Sequence, residues 1–389
     1  MERKPNILII GGEIDDARLY KRIQLLRECG ANVSWAAYDR GRGTVREKLL
    51  AMELPHLILG QLADRRYFRR LFAMRRAKHA LMSNRTVWEN ADAVYAINLD
   101  NLVIADQLRA ALRTRIPLIC EIADLRPVMT SQTPLGAGFR FLERRFLQRV
   151  GLLVTTSEAF LRSYFRPVQS YTGPVLLLEN KVTGIDYREV EERIKPNNAS
   201  SVLRVGFFSF IRCGRSLDLL YRLARELPER VEIVLRGILS PTVEAKVRRY
   251  CEDCKAIRYY GPFRNPQDLC AIYNEIDLCW NIHFVSMEKH SRHCLSNRIY
   301  EAGLCGIPQL GLARTEIGAY IERERLGWTC DEPYEEAVLK FFRAADVRQI
   351  RSLRDALQAT DRRKYLASED VPQVRESIWS VMNLGRHQC

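Results

Sequence analysis

No apolar run in this sequence reaches the ~18 uncharged residues that a membrane-spanning helix needs. The nearest thing to a leader, Ile7–Ile10 behind Glu2, Arg3, Lys4 and Pro5, is too short for the core of a secretory signal. A cytoplasmic protein is therefore expected. A full GxGxxG fingerprint is also missing: Gly11-Gly12-Glu13 supplies two adjacent glycines, which leaves a dinucleotide-binding reading weak. The 11 cysteines follow no repeating spacing, so they do not read as a disulfide framework. Cys120, Cys279 and Cys305 lie in apolar runs and behave as small buried hydrophobes. Cys251 and Cys254 form a CxxC with no second ligand pair at a recognised spacing, and no metal site is expected there.

What is present is a soluble profile on a long chain. The 389 residues are 47% hydrophobic and 28% charged, too many for one ordinary core and suited to two domains of roughly 150–200 residues. The formal net charge of +14 draws the protein to polyanions: nucleic acid, an anionic membrane face or phosphorylated ligands.

The periodicity points to alternating strands and helices. Asn6–Ile10 reads as a strand, Gly11-Gly12 as a turn and 15–29 as an amphipathic helix capped by Gly30, with a second strand at 32–37. Further short apolar runs at 56–59, 93–97, 117–122, 152–155 and 175–178 continue the series. The polar stretch Lys195–Ser201 reads as an interdomain linker. A second βα series follows, with strands at 203–208, 231–236, 257–260, 278–280 and 308–310. The fold class is α/β: two Rossmann-like, doubly wound domains facing a cleft, with ligands expected at the carboxyl ends of the strands. The expected division is 1–198, 199–370 and a C-terminal helix over 371–389 that crosses back to the first domain.

The segment Leu295–Leu310, LSNRIYEAGLCGIPQL, carries the sharpest signal. It reads as a helix that ends at a glycine and leads into a strand. Glu301 stands near its middle among apolar neighbours, where a carboxylate can accept from a ribose diol. Gly303 and Gly306 permit close backbone approach. This segment resembles the donor-site motif of GT-B glycosyltransferases, the family 4-like enzymes in particular. The resemblance implies that Glu301 holds the ribose of a sugar nucleotide. Relatives often carry a second glutamate eight positions earlier, near the sugar; here that position is His293, which is kept as a donor-side candidate. Asn297 and Arg298 of the same segment join the donor-side set.

Val205–Ser216 resembles the family's first donor-domain strand and loop, which implies that Arg212 and Arg215 meet the diphosphate. Guanidinium forks suit phosphate oxygens, and a following helix N-terminus adds a favourable dipole. Tyr260-Gly-Pro-Phe263 resembles the loop against the nucleotide base, with Phe263 as the base neighbour. In the first half, Gly11 and Gly12 match a glycine loop on the acceptor side. Cys120–Pro127 matches a strand end that offers Asp124 as catalytic base or acceptor contact. Relatives need no bound metal, no DxD-type motif stands out, and no cofactor is expected beyond the sugar nucleotide, a UDP- or GDP-sugar. His283 and His290 read as local structure.

Two stretches, Asp64–His79 and Arg140–Arg149, place arginines and aromatics at helical spacing. They read either as solvated faces or as contacts to an anionic membrane holding a lipid-linked acceptor. No recognition-helix, RNP or zinc-finger pattern supports nucleic-acid binding. The expected function is sugar transfer in exopolysaccharide, lipopolysaccharide or other surface-glycan synthesis. The alternatives are a sugar-nucleotide epimerase on the same fold and a non-catalytic basic binding protein.

Overall fold

The computed structural model describes residues 3–39, 44–61, 67–111, 115–195, 200–284 and 292–386. It divides into two compact units, one of residues 1–179 with 370–389 and one of residues 180–369.

The first unit is built on parallel strands β1 (Asn6–Glu13), β2 (Asn32–Tyr38), β3 (His56–Ile58), β4 (Ala93–Ile97), β5 (Leu118–Ile122), β6 (Leu152–Thr155) and β7 (Val175–Leu177). Their order is β3-β2-β1-β4-β5-β6-β7. Ile7, Leu8, Ile9 and Ile10 are all fully buried, as expected of a central strand covered on both faces. The strand continues through Gly11 and Gly12 to Glu13, with a register shift against β2, instead of turning at the glycines. A Cβ at Gly11 would come within 2.9 Å of the end of the Leu19 side chain, which would have to shift. The next helix, Ala17–Glu28, starts at Asp16, whose carboxylate accepts from the Arg18 N–H at 2.9 Å. It ends at Gly30, in the left-handed region at φ +91°.

Two buried carboxylates organise this unit. Glu121 on β5 receives Nε and Nη2 of Arg22, each at 2.9 Å, and the Tyr95 hydroxyl at 2.7 Å. Burial opposes its charge, but the Arg22 guanidinium prevails and holds the carboxyl below its ordinary value. Glu143, on the helix Pro134–Leu147, instead accepts from the neutral Tyr164 hydroxyl and the Gln169 amide. Burial pushes it up to about 7 against those two bonds. The native state then keeps a proton that the unfolded chain has already released, so this group's stabilisation is complete below pH ~4 and declines as pH rises towards 7. Glu143→Gln is expected to flatten that decline. Chemical denaturation at pH 5 and 7.5 should show the difference in stability shrinking by on the order of 2 kcal/mol relative to the wild type.

The second unit holds β8 (Leu203–Phe208), β9 (Val231–Arg236), β10 (Ile257–Tyr259), β11 (Leu278–Trp280), β12 (Gln309–Leu312) and β13 (Gly327–Cys330), in the order β10-β9-β8-β11-β12-β13. All described pairings are parallel. β13 was not foreseen from the sequence.

The units divide between Glu179 and Asn180, not at 198/199. Val182 and Val190 are buried in the second core, and Val182 bridges to Leu366, so the chain has joined the second unit well before the polar stretch. Of that stretch, residues 196–199 lie outside the described residues. The helix Val371–Arg386 belongs to the first unit, burying Val374, Ile378, Val381 and Met382 in its core. Among the described residues no helix is long and apolar enough to cross a membrane.

Candidate functional site

Each sheet has one place where the strand order reverses: between β1 and β4 in the first unit, and between β8 and β11 in the second. Loops leaving such a strand pair part from one another and open a crevice at the carboxyl ends.

In the second unit this crevice is cationic. The loop after β8 carries Arg212, which is exposed, and the loop after β11 carries His283. Arg298 enters from the helix Asn297–Leu304. Its side chain is buried, its guanidinium lies over the Phe207 ring at 4.7 Å, and Nε and Nη1 have no hydrogen-bond partner. Burial pushes the Arg298 group below its ordinary value, although arginine stays protonated in proteins. Burial also drives His283 down to about 3, with the positive charges of Arg298 and Arg212 adding to the effect. His283 is therefore neutral at physiological pH. It adds no positive charge beside Arg298 and Arg212. A buried, incompletely paired guanidinium is unfavourable unless an anion completes it.

Glu301 lies one turn further along the same helix and is 6% exposed. Asn265 Nδ2 donates to Oε1 at 2.6 Å, and the Tyr273 hydroxyl donates to Oε2 at 3.2 Å. Tyr273 stays a donor because burial, and then the charge of Glu301, push its hydroxyl well above the usual value. The carboxylate is thus held in one orientation. The start of the helix is tied to the sheet: Ser296 Oγ donates to Asn281 Oδ1 at 3.1 Å, Asn281 Nδ2 to Gln309 Oε1 at 2.5 Å, and Gln309 Nε2 to the Ile299 carbonyl at 3.0 Å. These contacts fix where Arg298 and Glu301 stand. Asn265, Tyr273, Asn281 and Gln309 had no local sequence signal, since each acts across a long separation.

Other expected residues are placed differently. Arg215 is engaged by the Glu335 carboxylate at 2.5 Å, and its guanidinium lies over Phe284 at 4.0 Å. Phe263 is half-buried and packs edge-on against Phe208 at 6.4 Å, joining the core. The exposed apolar side chains beyond β8, β9 and β10 are instead Phe210, Ile238 and Tyr260, with the Arg236 guanidinium over Tyr260 at 4.7 Å. Asn297 is exposed at the first turn of its helix, and His293 is half-buried just before it. His290 lies outside the described residues.

Gly303 serves packing: a Cβ there would come within 2.6 Å of the Tyr365 ring. Gly303→Ala should lower stability by about 1–3 kcal/mol through overpacking. Nucleotide affinity in a calorimetric titration of the folded variant should stay within about twofold, as expected when no transferring contact is lost. In the first unit, Gly12 lines the crevice, while Asp124 is exposed in the turn after β5 and is not among the residues lining it.

Two doubly wound units of this kind, each with a carboxyl-end crevice, form the GT-B fold. Solved structures share it over nearly the whole chain. A glycosyltransferase from Rickettsia africae ESF-5 superposes with a TM-score of 0.68 at 14% identity, covering 98% of this chain and 99% of that one. Anabaena HepE in complex with UDP-glucose superposes with a TM-score of 0.65 at 14% identity, covering 96% and 99%. In sequence, the family model described as glycosyl transferase-like matches residues 215–375. The succinoglycan biosynthesis protein ExoL of Rhizobium meliloti (strain 1021) is 30% identical over 325 residues, 82% of this chain and 80% of that protein. The chain belongs to the glycosyl transferase-like family, and it is a glycosyltransferase.

Proposed function

We propose that the protein transfers a sugar from a nucleoside-diphosphate sugar to an acceptor hydroxyl in the synthesis of a polysaccharide, with a uridine nucleotide as the favoured donor. The observation that carries this reading is the incompletely paired Arg298 guanidinium, buried beside neutral His283 and exposed Arg212 at the switch point of the second sheet. These groups bind the diphosphate, and their fixed positive charge acts most strongly on the leaving group as the glycosidic bond breaks. Glu301 accepts from the ribose hydroxyls. Tyr260, Ile238 and Phe210 offer apolar surface to the base. Uridine is favoured because HepE is described with UDP and UDP-glucose; polysaccharide synthesis follows the printed role of ExoL.

The helices Tyr67–Ser83 and Pro134–Leu147 both pack on the helix Leu99–Ala111. They leave Phe72, Phe141 and Leu142 exposed along with Arg75, Arg76 and Arg145. Such faces suit peripheral contact with an anionic membrane that carries a lipid-linked acceptor. Asp64, Arg65 and Arg66 lie outside the described residues.

The test is incubation with labelled UDP- and GDP-sugars, with and without a membrane extract that supplies acceptors. Label moving into the lipid or polymer fraction, with nucleoside diphosphate released only when acceptor is present, supports transfer. An isomerised nucleotide sugar formed without acceptor overturns it in favour of epimerisation.

A further inference from the structure

We infer that the second unit holds a further anion site, at the amino edge of its sheet, which takes a phosphate group: free phosphate or the phosphate of a small monoester. The inference is independent of the transfer reading above.

Strands β8 and β11 open the cationic crevice at their carboxyl ends. At the opposite edge of the sheet they begin in a second cavity, of about 340 Å³, within the size of small-molecule sites, about 300–1,000 Å³. Arg204 lines it from β8, Glu275 and Asp277 from the residues leading into β11, and Arg351 and Arg354 from the helix Val347–Gln358. The two helix arginines are three positions apart and share one face. Lys195 stands at the rim, exposed.

Arg354 carries the inference. It lines the cavity and is 2% exposed. Nη1 donates to the Ile276 carbonyl at 2.9 Å and Nη2 to the Lys195 carbonyl at 3.1 Å, while Nε has no hydrogen-bond partner. Both hydrogen-bond partners are neutral. Burial holds the group below its ordinary value, and the Asp277 charge offsets that only in part. A buried guanidinium in this position is unfavourable until an anion comes beside it.

The carboxylates of the cavity are committed elsewhere. Asp277 accepts the Arg204 N–H at 2.9 Å and Arg351 Nε at 3.5 Å. Glu275 takes Nε and Nη2 of Arg236 at 2.9 and 2.7 Å. Arg204 Nε in turn lies 3.4 Å from Glu232. Among the lining residues Lys195, Arg204, Arg351 and Arg354 outnumber the two carboxylates. A phosphate monoester brings about −1.5 to −2 charges and three acceptor oxygens, and arginine clusters suit such a group. The cavity adjoins the start of β11, whereas His283 follows its far end. Phosphate and nucleotide therefore occupy separate places.

The experiment is calorimetric titration of the full chain with orthophosphate, glycerol 3-phosphate and, as a neutral control, glycerol, each with and without UDP. The wild type should bind the phosphates saturably with a Kd below about 10 mM, ignore glycerol, and change by less than about twofold when UDP is added. Arg354→Met should weaken phosphate by about 30-fold or more, and Arg298→Met should leave it unchanged. Arg354 also ties two carbonyls, so exposed Lys195→Glu is measured beside it and should weaken phosphate by about threefold or more. Glycerol 3-phosphate binding about fivefold tighter than orthophosphate identifies a monoester as the ligand; equal or weaker binding identifies free phosphate. No saturable phosphate binding by the wild type, displacement of phosphate by UDP, or an affinity unchanged in Lys195→Glu and in folded Arg354→Met overturns the inference. Wild-type protein that binds phosphate here and no nucleotide upholds the inference and counts against the transfer reading instead.

Discussion

Arg298→Met should make the ligand-free protein more stable and at the same time destroy its response to nucleoside diphosphates. Most substitutions of a buried, well-packed residue destabilise. Here the wild-type guanidinium is buried over Phe207 with Nε and Nη1 unpaired, so the folded apo protein carries a desolvation penalty that the neighbouring Glu301 charge offsets only in part. Methionine fills similar volume without the charge and keeps contact with the aromatic face. The gain is on the order of 2 kcal/mol, or about 4–8 °C in Tm for a unit of this size. Loss of the charge contact to phosphate removes about 2–5 kcal/mol of binding, roughly 30- to 4,000-fold in Kd. Differential scanning calorimetry with and without UDP reads both effects. A variant that is less stable than wild type and still stabilised by UDP contradicts the site.

The second large effect concerns Glu301. Its carboxylate is oriented by Asn265 and Tyr273, and the proposed role is to accept from the ribose diol. Wild-type protein should prefer UDP to 2′-deoxy-UDP by about tenfold or more, the worth of a hydrogen bond to a charged group. Glu301→Gln keeps the shape and removes the charge. It should weaken UDP by about 10- to 100-fold and bring the two nucleotides to equal affinity. Competition titrations against a fluorescent nucleotide report both. If wild-type protein binds the deoxy nucleotide equally well, Glu301 does not hold the ribose.

Much of this molecule could be read from the chain because parallel strands buried on both faces need continuous apolar runs. Ile7–Ile10, Ile233–Leu235 and Leu278–Trp280 announce themselves in that way. β13 did not: Gly327, Trp328 and Thr329 are half-buried and only Cys330 is buried, so the strand shows neither an apolar run nor an alternation. The domain boundary was misplaced because polar, turn-rich composition marks a loop, whereas the true division depends on which core Val182 and Val190 enter. The motif put Glu301 and Arg298 on one helix, and they stand on the helix Asn297–Leu304. Asn265, 36 residues from Glu301 in sequence, and His283 reach the site through strand order, which no local pattern encodes. Arg215 shows the same limit: a basic residue in the expected loop pairs with Glu335, 120 residues away, which no local pattern foretells.

The central claim, a nucleoside-diphosphate site at the switch point of the second sheet, is tested most directly by calorimetric titration of the purified protein with UDP, GDP, ADP and dTDP, with Arg298→Met alongside. The account predicts saturable one-to-one binding of one of these nucleotides, UDP foremost, by the wild type and none by the folded variant. Absence of binding by all four to folded wild-type protein, or equal binding by the variant, contradicts it.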